Sequence, residues 1–398
     1  MTALLEAAHP ALQPETPQAI LPDVLAVVRE HAQFNDQAAA FPVEALAALR
    51  ASRLLGLLVP AEYGGHGGTL RDLLDITQRL AREDLSVAMI FAMHCQQVEA
   101  LTRHGSTGLL ARVLPGIARG EVYLASVTTE YGKGGHLLTS GARLESGREG
   151  MLRLDRDAPI VTGGSYADGF LITMLAPGAT SPTQVSLVYA DREQLRVTTR
   201  GQWRALGMRG SHSLPLHLAG ELAADQVVGE HGAFRQIVTE VFGPLAHLGW
   251  SASWLGAASG ALSRTVRYLR SPEGRKQRDL GSELLLTRLG KVRARLDGVN
   301  ALLWHTLGVC ERPGTDLTAP SAQLLLNALK ITAAEQCFAA VDELVELVGL
   351  RHGYLADSPL WLERAFRDLR AASLNYSNDR LYLADGRLTL LDQEVRLA

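Results

Sequence analysis

The sequence predicts an α+β fold of three successive parts: an N-terminal α-helical domain over residues 1–120, a central antiparallel β-barrel over 121–232 and a C-terminal four-helix bundle over 233–398. Three observations lead there. Apolar residues recur at helical spacing up to about residue 120 and again, in longer runs, from about 233. Between these stretches the chain reads as brief β-like runs cut by Gly, Pro, Asp and Ser. A length of 398 residues is enough for several packed layers, each with its own core.

Taken in order, the first part shows its pattern best in "LRDLLDITQRLARE", where Leu70, Leu73, Leu74, Leu80 and Ala81 share one helical face. The preceding "PAEYGGHGG" is a loop by its proline and glycines. In the middle part, "VYLASVTTE", "FLITMLA", "QVSLVYA" and "LPLHLAG" are closely spaced strands with no helix between them, which suggests a small barrel or sandwich. Leu214, Leu216 and Leu218 alternate with Pro215 and His217, the pattern of a half-buried edge strand. In the last part, Leu285, Leu289, Val292, Leu296, Val299, Leu303 and Leu307 form one seam at spacings of four and three. Leu329, Ala333, Cys337, Ala340, Leu344 and Leu347 form a second. Such seams belong to long antiparallel helices, joined here by "CERPGTDLTAP", with Asp316 or Thr318 as cap.

Composition narrows the function classes. Lys and Arg total 39 against 42 Asp and Glu, a net charge of −3, so no overall field draws the chain to nucleic acid or an anionic membrane. No run of about 18 apolar residues marks a membrane span. Cys95, Cys310 and Cys337 are odd in number and far apart, which points to a reducing compartment, the cytoplasm, and to no metal site. P-loop, zinc-protease and nucleophile-elbow signatures are absent, and "GKGGHLL" lacks the third glycine of a dinucleotide loop.

Three polar clusters remain. "SVTTEYGKGG" (126–135) follows a strand and joins hydroxyls, a carboxylate and glycines, so that its backbone could approach a ligand; an ordinary turn reads the same way. "IVTGGSYAD" (160–168) is a second strand running into a Gly-Gly turn, which could share a cleft with the first or be a separate hairpin. "SRTVRYLRSPEGRKQR" carries Arg264, Arg267, Arg270, Arg275, Lys276 and Arg278; these suit a diphosphate, or a solvated helix end.

Read together and in register, five segments resemble the acyl-CoA dehydrogenase family over nearly the whole chain. They are "PAEYGGHGG", "SVTTEYGKGGH", "IVTGGSYADGFLITMLA", "ALGMRGSHSLPLHL" and "LRHGYLADSPLWLERAFRDLRA". The resemblance implies FAD between barrel and bundle, with reduced FMN or FAD as co-substrate in one branch, and homodimers or homotetramers. It places Thr128, Thr129 and Thr162 on the flavin. It also implies cofactor contacts at Gly134 and Gly135, where Gly135 and His136 stand for a Ser-Asp pair, and at Ile160, which replaces a tryptophan. Arg275 is the rough equivalent of an arginine that approaches the neighbouring subunit's FAD.

The family most often sets its catalytic glutamate nine residues past the arginine of "RDLR"; here that residue is Tyr376. A phenol, with an ordinary pKa of about 10, is a poor base at neutral pH but a competent hydrogen-bond donor. An alternative family position for the glutamate falls near Ala246, with His247 adjacent and pointing about 100° away on a helix. Glu240 and Asp379 are further carboxylates, without a spacing that selects either. His94, Ser126, His247 and Asn378 are assigned to the substrate pocket.

The functions expected are then three. One is α,β-dehydrogenation of an acyl-CoA or related acyl substrate, with hydride passing to the flavin and electrons on to an acceptor. Another is a monooxygenase of the same fold, fed reduced flavin by a reductase. The last is a non-catalytic flavin or acyl-ligand binder.

Overall fold

A computed structural model describes residues 16–132, 136–395 and 397. Among the described residues five α-helices come first: α1 (Pro17–Ala38), α2 (Val43–Ala51), α3 (Leu70–Glu83), α4 (Leu85–His104) and α5 (Thr107–Ala118). Helix α3 starts on a capping box. Thr69 Oγ1 accepts from Asp72 N at 3.2 Å and Asp72 Oδ2 accepts from Thr69 N at 2.9 Å. Its buried face is the one the periodicity marks, Leu73, Leu74, Leu80 and Ala81. Helix α4 begins on Asp84, whose Oδ1 accepts from Ser86 N at 2.7 Å. It is buried on nearly every side.

The middle part holds β1 (Leu124–Val127), β2 (Glu145–Ser146), β3 (Met151–Val161), β4 (Gly169–Leu175), β5 (Val185–Asp191), β6 (Leu195–Thr199), β7 (Leu214–Ala223) and β8 (Val227–Val228). Two features correct the expected antiparallel barrel. Among the described residues the strands form two four-stranded sheets, ordered β1-β4-β5-β8 and β2-β3-β7-β6, rather than one closed sheet. Strand β1 also pairs with β4 in parallel. The physical reason is connectivity. After β1 the chain leaves the sheet, builds β2 and β3 in the other one and returns through the Gly163–Gly164 turn, so β4 re-enters in the direction of β1.

Strand β7 is not at an edge either: it lies between β3 and β6. Pro215 is tolerated there because β3 bulges opposite it. Ala158 pairs with Leu216 and Val161 with Leu214, so Pro159 and Ile160 face the single residue Pro215 and no ladder bond to β3 needs its missing N–H.

A short helix α6 (Phe234–Ile237) passes through a π-turn (Val238–Phe242) into α7 (Gly243–Arg270), followed by α8 (Pro272–Gln277), α9 (Glu283–Cys310) and α10 (Pro320–Val348). The predicted seams are buried where α7, α9 and α10 pack on one another: Val292, Leu303 and Leu307 of α9, and Leu329, Ala333, Cys337, Ala340 and Leu344 of α10. By length and composition α10 could cross a membrane; here it is the central helix of the bundle. The fourth side is not one helix. It is split into α11 (Leu362–Leu369) and α12 (Asn378–Thr389), because Tyr376 takes a left-handed φ of +51° that no α-helix accommodates.

Candidate functional site

The β-domain side of the site is built by the loop after β1. Ser126 is buried within β1, and Thr128 and Thr129 lie half-buried just beyond it. Thr129 Oγ1 donates to Ile160 O at 2.8 Å and accepts from Ile160 N at 3.3 Å. The β3 bulge leaves both of those backbone groups without a ladder partner, and the hydroxyl takes both. The hydroxyl's proton is therefore committed to the bulge. Ile160 itself is 49% exposed at the rim. Gly134 and Gly135 lie outside the described residues.

Beneath the loop lies a buried ion pair that sequence reading missed. Arg156, 1% exposed, contacts Glu130 Oε2 at 2.9 Å and donates to Thr129 O at 2.9 Å. Glu130 Oε1 also accepts from Ala142 N at 2.9 Å. Burial lowers the Arg156 pKa and the Glu130 charge opposes that shift, so the pair holds the loop down from below. A signal existed. Arg156 occupies an inward position in the alternation Leu152, Leu154, Arg156, Ala158, where a charge needs a partner.

The second strand end joins a different segment. Thr162 Oγ1 lies 3.0 Å from Ser213 Oγ, and Ser213 Oγ lies 2.9 Å from Ser211 Oγ. Gly163 N donates to Ser211 O at 3.0 Å, with Gly163 at φ +61° and too close to Tyr123 to carry a Cβ. This hydroxyl row sits on the "LGMRGS" loop, which docks on α11. Met208 N donates to Asp368 Oδ1 at 2.6 Å, Arg367 Nη1 to Leu206 O at 3.1 Å, and Arg367 pairs with Asp36 of α1 at 2.6 Å. Burial pushes the Asp368 carboxyl up to about 7, against the pull of Arg364. The Arg-Asp pair therefore clamps three parts of the chain together, eight residues before Tyr376.

The bundle side gathers residues from three separate helix segments. Lys330 of α10 is fully buried; its Nζ donates to Tyr376 O at 2.9 Å and to Asn378 Oδ1 at 2.7 Å, and it stands 5.6 Å from the Trp254 ring centroid. Asn378 Nδ2 in turn donates to Glu335 Oε1 at 3.2 Å. Burial pulls the ammonium down to about 8, with Glu335 opposing. His247 of α7 lies 6.5 Å from Tyr376 and 6.4 Å from Trp250, ring centre to ring centre. Its Nδ1 is 3.1 Å from Leu326 O, so Nδ1 carries the proton and Nε2 keeps its lone pair. Burial, then the charge of Lys330, lower its pKa to about 4, so the imidazole is neutral at physiological pH. The Tyr376 side chain remains 40% exposed.

The bundle cluster thus contains Tyr376, His247 and Asn378 from the sequence reading, together with Lys330, Trp250 and Trp254, which it missed. Lys330 left a trace: it falls on the apolar stripe Leu326, Lys330, Ala333, Cys337, where helical spacing calls for a hydrophobe.

Other expected residues fall elsewhere. His94 is fully buried, with Nε2 2.8 Å from Leu55 O and Leu124 N donating to Nδ1 at 3.0 Å. Both ring nitrogens serve the main chain, and burial lowers the pKa to about 4. It is a strut between the N-terminal part and β1. Glu240 accepts from Gln236 Nε2 at 3.0 Å and lies 3.3 Å from His104, on the π-turn before α7. Asp379 is exposed. Arg275 is exposed on α8, beyond the far end of α7, about 35 Å along the helix axis from His247 at 1.5 Å per residue. Within one chain it does not join the cluster. Among the described residues no group of three or more His, Cys, Asp or Glu is placed to hold a metal ion.

The donor set fits a flavin in part. Thr162 offers a rotatable hydroxyl at the end of a three-hydroxyl row, as the polar edge of an isoalloxazine requires, whereas the Thr129 hydroxyl is committed to the bulge.

Comparison with known proteins agrees with this architecture. Models of the acyl-CoA dehydrogenase N-terminal and C-terminal domains match residues 23–121 and 246–375. The probable acyl-CoA dehydrogenase FadE25 of Mycobacterium tuberculosis is 23% identical over 349 residues, 87% of each chain. The dibenzothiophene monooxygenase of Rhodococcus erythropolis is 28% identical over 232 residues, 56% of this chain and 55% of that protein. The crystal structure of FMN-bound TdsC from Paenibacillus sp. A11-2 superposes with a TM-score of 0.84 at 21% identity, over 94% of this chain and 97% of that one.

Proposed function

The chain belongs to the acyl-CoA dehydrogenase family, and from that premise we propose that it is a flavin-dependent monooxygenase rather than an acyl-CoA dehydrogenase. One observation carries the reading. The turn where the family most often sets its base presents Tyr376, backed by the ammonium of Lys330 and faced by the neutral His247. These groups donate and accept hydrogen bonds. None of them is a carboxylate able to remove an α-proton at neutral pH. The carboxylates Glu240 and Asp379 lie outside the cluster, and Glu335, which borders it through Asn378, accepts at Oε1 from Asn378 Nδ2 and the Tyr382 hydroxyl.

Reduced FMN or FAD, delivered by a partner reductase, would supply the two electrons with which one oxygen atom of dioxygen enters the substrate and the other leaves as water. Thr162 would hold the cofactor's polar edge. Trp250 and Tyr376 wall an aromatic or heteroatom-bearing substrate. The Tyr376 phenol donates to it and His247 Nε2 accepts from it. Lys330 holds the Tyr376 carbonyl and so fixes where the phenol points. Domain bounds near residues 120 and 232, and a homodimer or homotetramer in which Arg275 reaches a neighbouring subunit's cofactor, belong to the same proposal. The resemblance to a dibenzothiophene monooxygenase and to the fold of FMN-bound TdsC is consistent with the oxygenase reading.

The test supplies the protein with a reductase, NADH, FMN and labelled dioxygen, and offers indoles, phenols and thiophenes. One labelled oxygen atom in a product is expected, with turnover falling roughly 10²-fold in Tyr376→Phe, at the low end of acid–base contributions. Unlabelled products together with conversion of acyl-CoA to enoyl-CoA would overturn the reading.

A further inference from the structure

A pocket apart from the cluster around Tyr376 lies where α1, α3, α7 and the segment before α11 meet. Its volume is about 470 Å³, and Arg29, Arg82, Glu83, Arg264, Arg267 and Trp361 are on its wall. Four guanidinium groups face one carboxylate. Arg29 pairs with Glu83 at 2.8 Å. Neither Arg82 nor Arg267 has a carboxylate at ion-pair distance among the described residues.

The fold forces these cations together. Gly260 of α7 sits so close to α3 that a Cβ there would be 2.8 Å from Arg82 O; Gly256, one turn earlier, would meet Gln78 O at 2.3 Å. The glycine pair lets the end of α3 press on α7 and brings Arg82 beside Arg264. Arg264 Nε donates to Leu360 O at 2.9 Å and Nη1 to Arg82 O at 2.7 Å, two of the guanidinium's five donors. The Trp361 ring has Arg264 at 5.2 Å and Arg364 at 4.7 Å, and Arg364 Nη1 is buried with no hydrogen-bond partner among the described residues. Burial and then the neighbouring arginines lower the Arg264 pKa to about 9, so the unliganded pocket holds its charge at a cost. Such crowding is a liability unless an anion relieves it.

We propose that this pocket binds a phosphate-bearing small molecule, a phosphate monoester or diphosphate, through Arg82, Arg264 and Arg267. Arginine's planar fork matches phosphate oxygens two at a time, and the ligand's two or more negative charges balance the excess. Ser263, also on the wall, adds a hydroxyl.

Calorimetric titration of the purified protein with pyrophosphate, ADP and, as a neutral control, adenosine tests the proposal. Pyrophosphate and ADP are expected to bind, adenosine to bind at least roughly tenfold more weakly, and Trp361 fluorescence to change on saturation. Arg267→Glu reverses an exposed charge that the fold does not need, so the variant keeps its circular dichroism spectrum and loses affinity roughly tenfold or more. Arg82→Gln weakens binding in the same direction. Repeating the titration with flavin-loaded protein separates two sources: retained ADP binding marks an independent ligand, and competition marks the cofactor's own phosphate. No binding of either anion at millimolar concentration, or equal binding by wild type and Arg267→Glu, would overturn the proposal.

Discussion

The β-domain rim and the bundle cluster each bury a cation, and they do so in opposite ways. Arg156 meets a carboxylate, Glu130, and the pair is further tied to the main chain at Thr129 and Ala142. Lys330 donates instead to a carbonyl and an amide oxygen beside an indole face, and its ammonium is pulled down to about 8. The first arrangement is a closed joint that fixes a loop. The second leaves a charge under-compensated next to Tyr376, where a small change in surroundings alters its protonation. The rim is scaffold and the cluster is the responsive part.

The sharpest way to break this comparison is Glu130→Ala. It strands Arg156 in a buried position, and breaking such a pair typically costs about 3–5 kcal/mol. Urea unfolding should show a loss of that size.

Lys330→Met should behave differently. Lys330 titrates near 8 when folded and at 10.5 in its unperturbed form, so between these values the unfolded state holds the extra proton. Wild-type stability should therefore rise with pH across that window, by up to about 3 kcal/mol from a shift of this size. The methionine variant lacks the rise, and below pH 8 it should be no less stable than wild type. Denaturant midpoints from pH 7 to 10.5 measure both arms. A wild-type curve parallel to that of the variant would show that Lys330 is fully compensated and erase the contrast.

Within the rim, the two threonines should separate. Thr129→Val removes the hydroxyl that satisfies both Ile160 backbone groups at the bulge, and leaving such groups unpaired costs about 1–2 kcal/mol. Thr162→Val loses only a hydroxyl–hydroxyl contact and should cost less than about 1 kcal/mol. It should weaken flavin affinity more than Thr129→Val does, as read by fluorescence titration with FMN.

The same contrast explains what the sequence disclosed. Helical seams and their buried faces were legible because α3, α9 and α10 repeat apolar residues at regular spacing. Strand positions were legible too. Their arrangement was not, since the parallel β1–β4 pairing and the bulge opposite Pro215 depend on where the chain returns, and no local pattern encodes that. Tyr376 and His247 were legible through motif register. The partners that define their chemistry were not: Lys330 is more than 40 residues from Tyr376 and more than 80 from His247 along the chain, although its intrusion on an apolar stripe was visible. His94 read as a pocket residue because a histidine on a buried helix looks alike whether it binds a ligand or two backbone groups.

The central claim is that no carboxylate stands at Tyr376 to act as an α-proton base. Anaerobic mixing of oxidised, flavin-loaded protein with a panel of acyl-CoA thioesters tests it most directly. The account predicts that the flavin's yellow absorbance persists in wild type and bleaches only when a carboxylate is installed in Tyr376→Glu. Prompt bleaching of the wild-type protein by any acyl-CoA would contradict it.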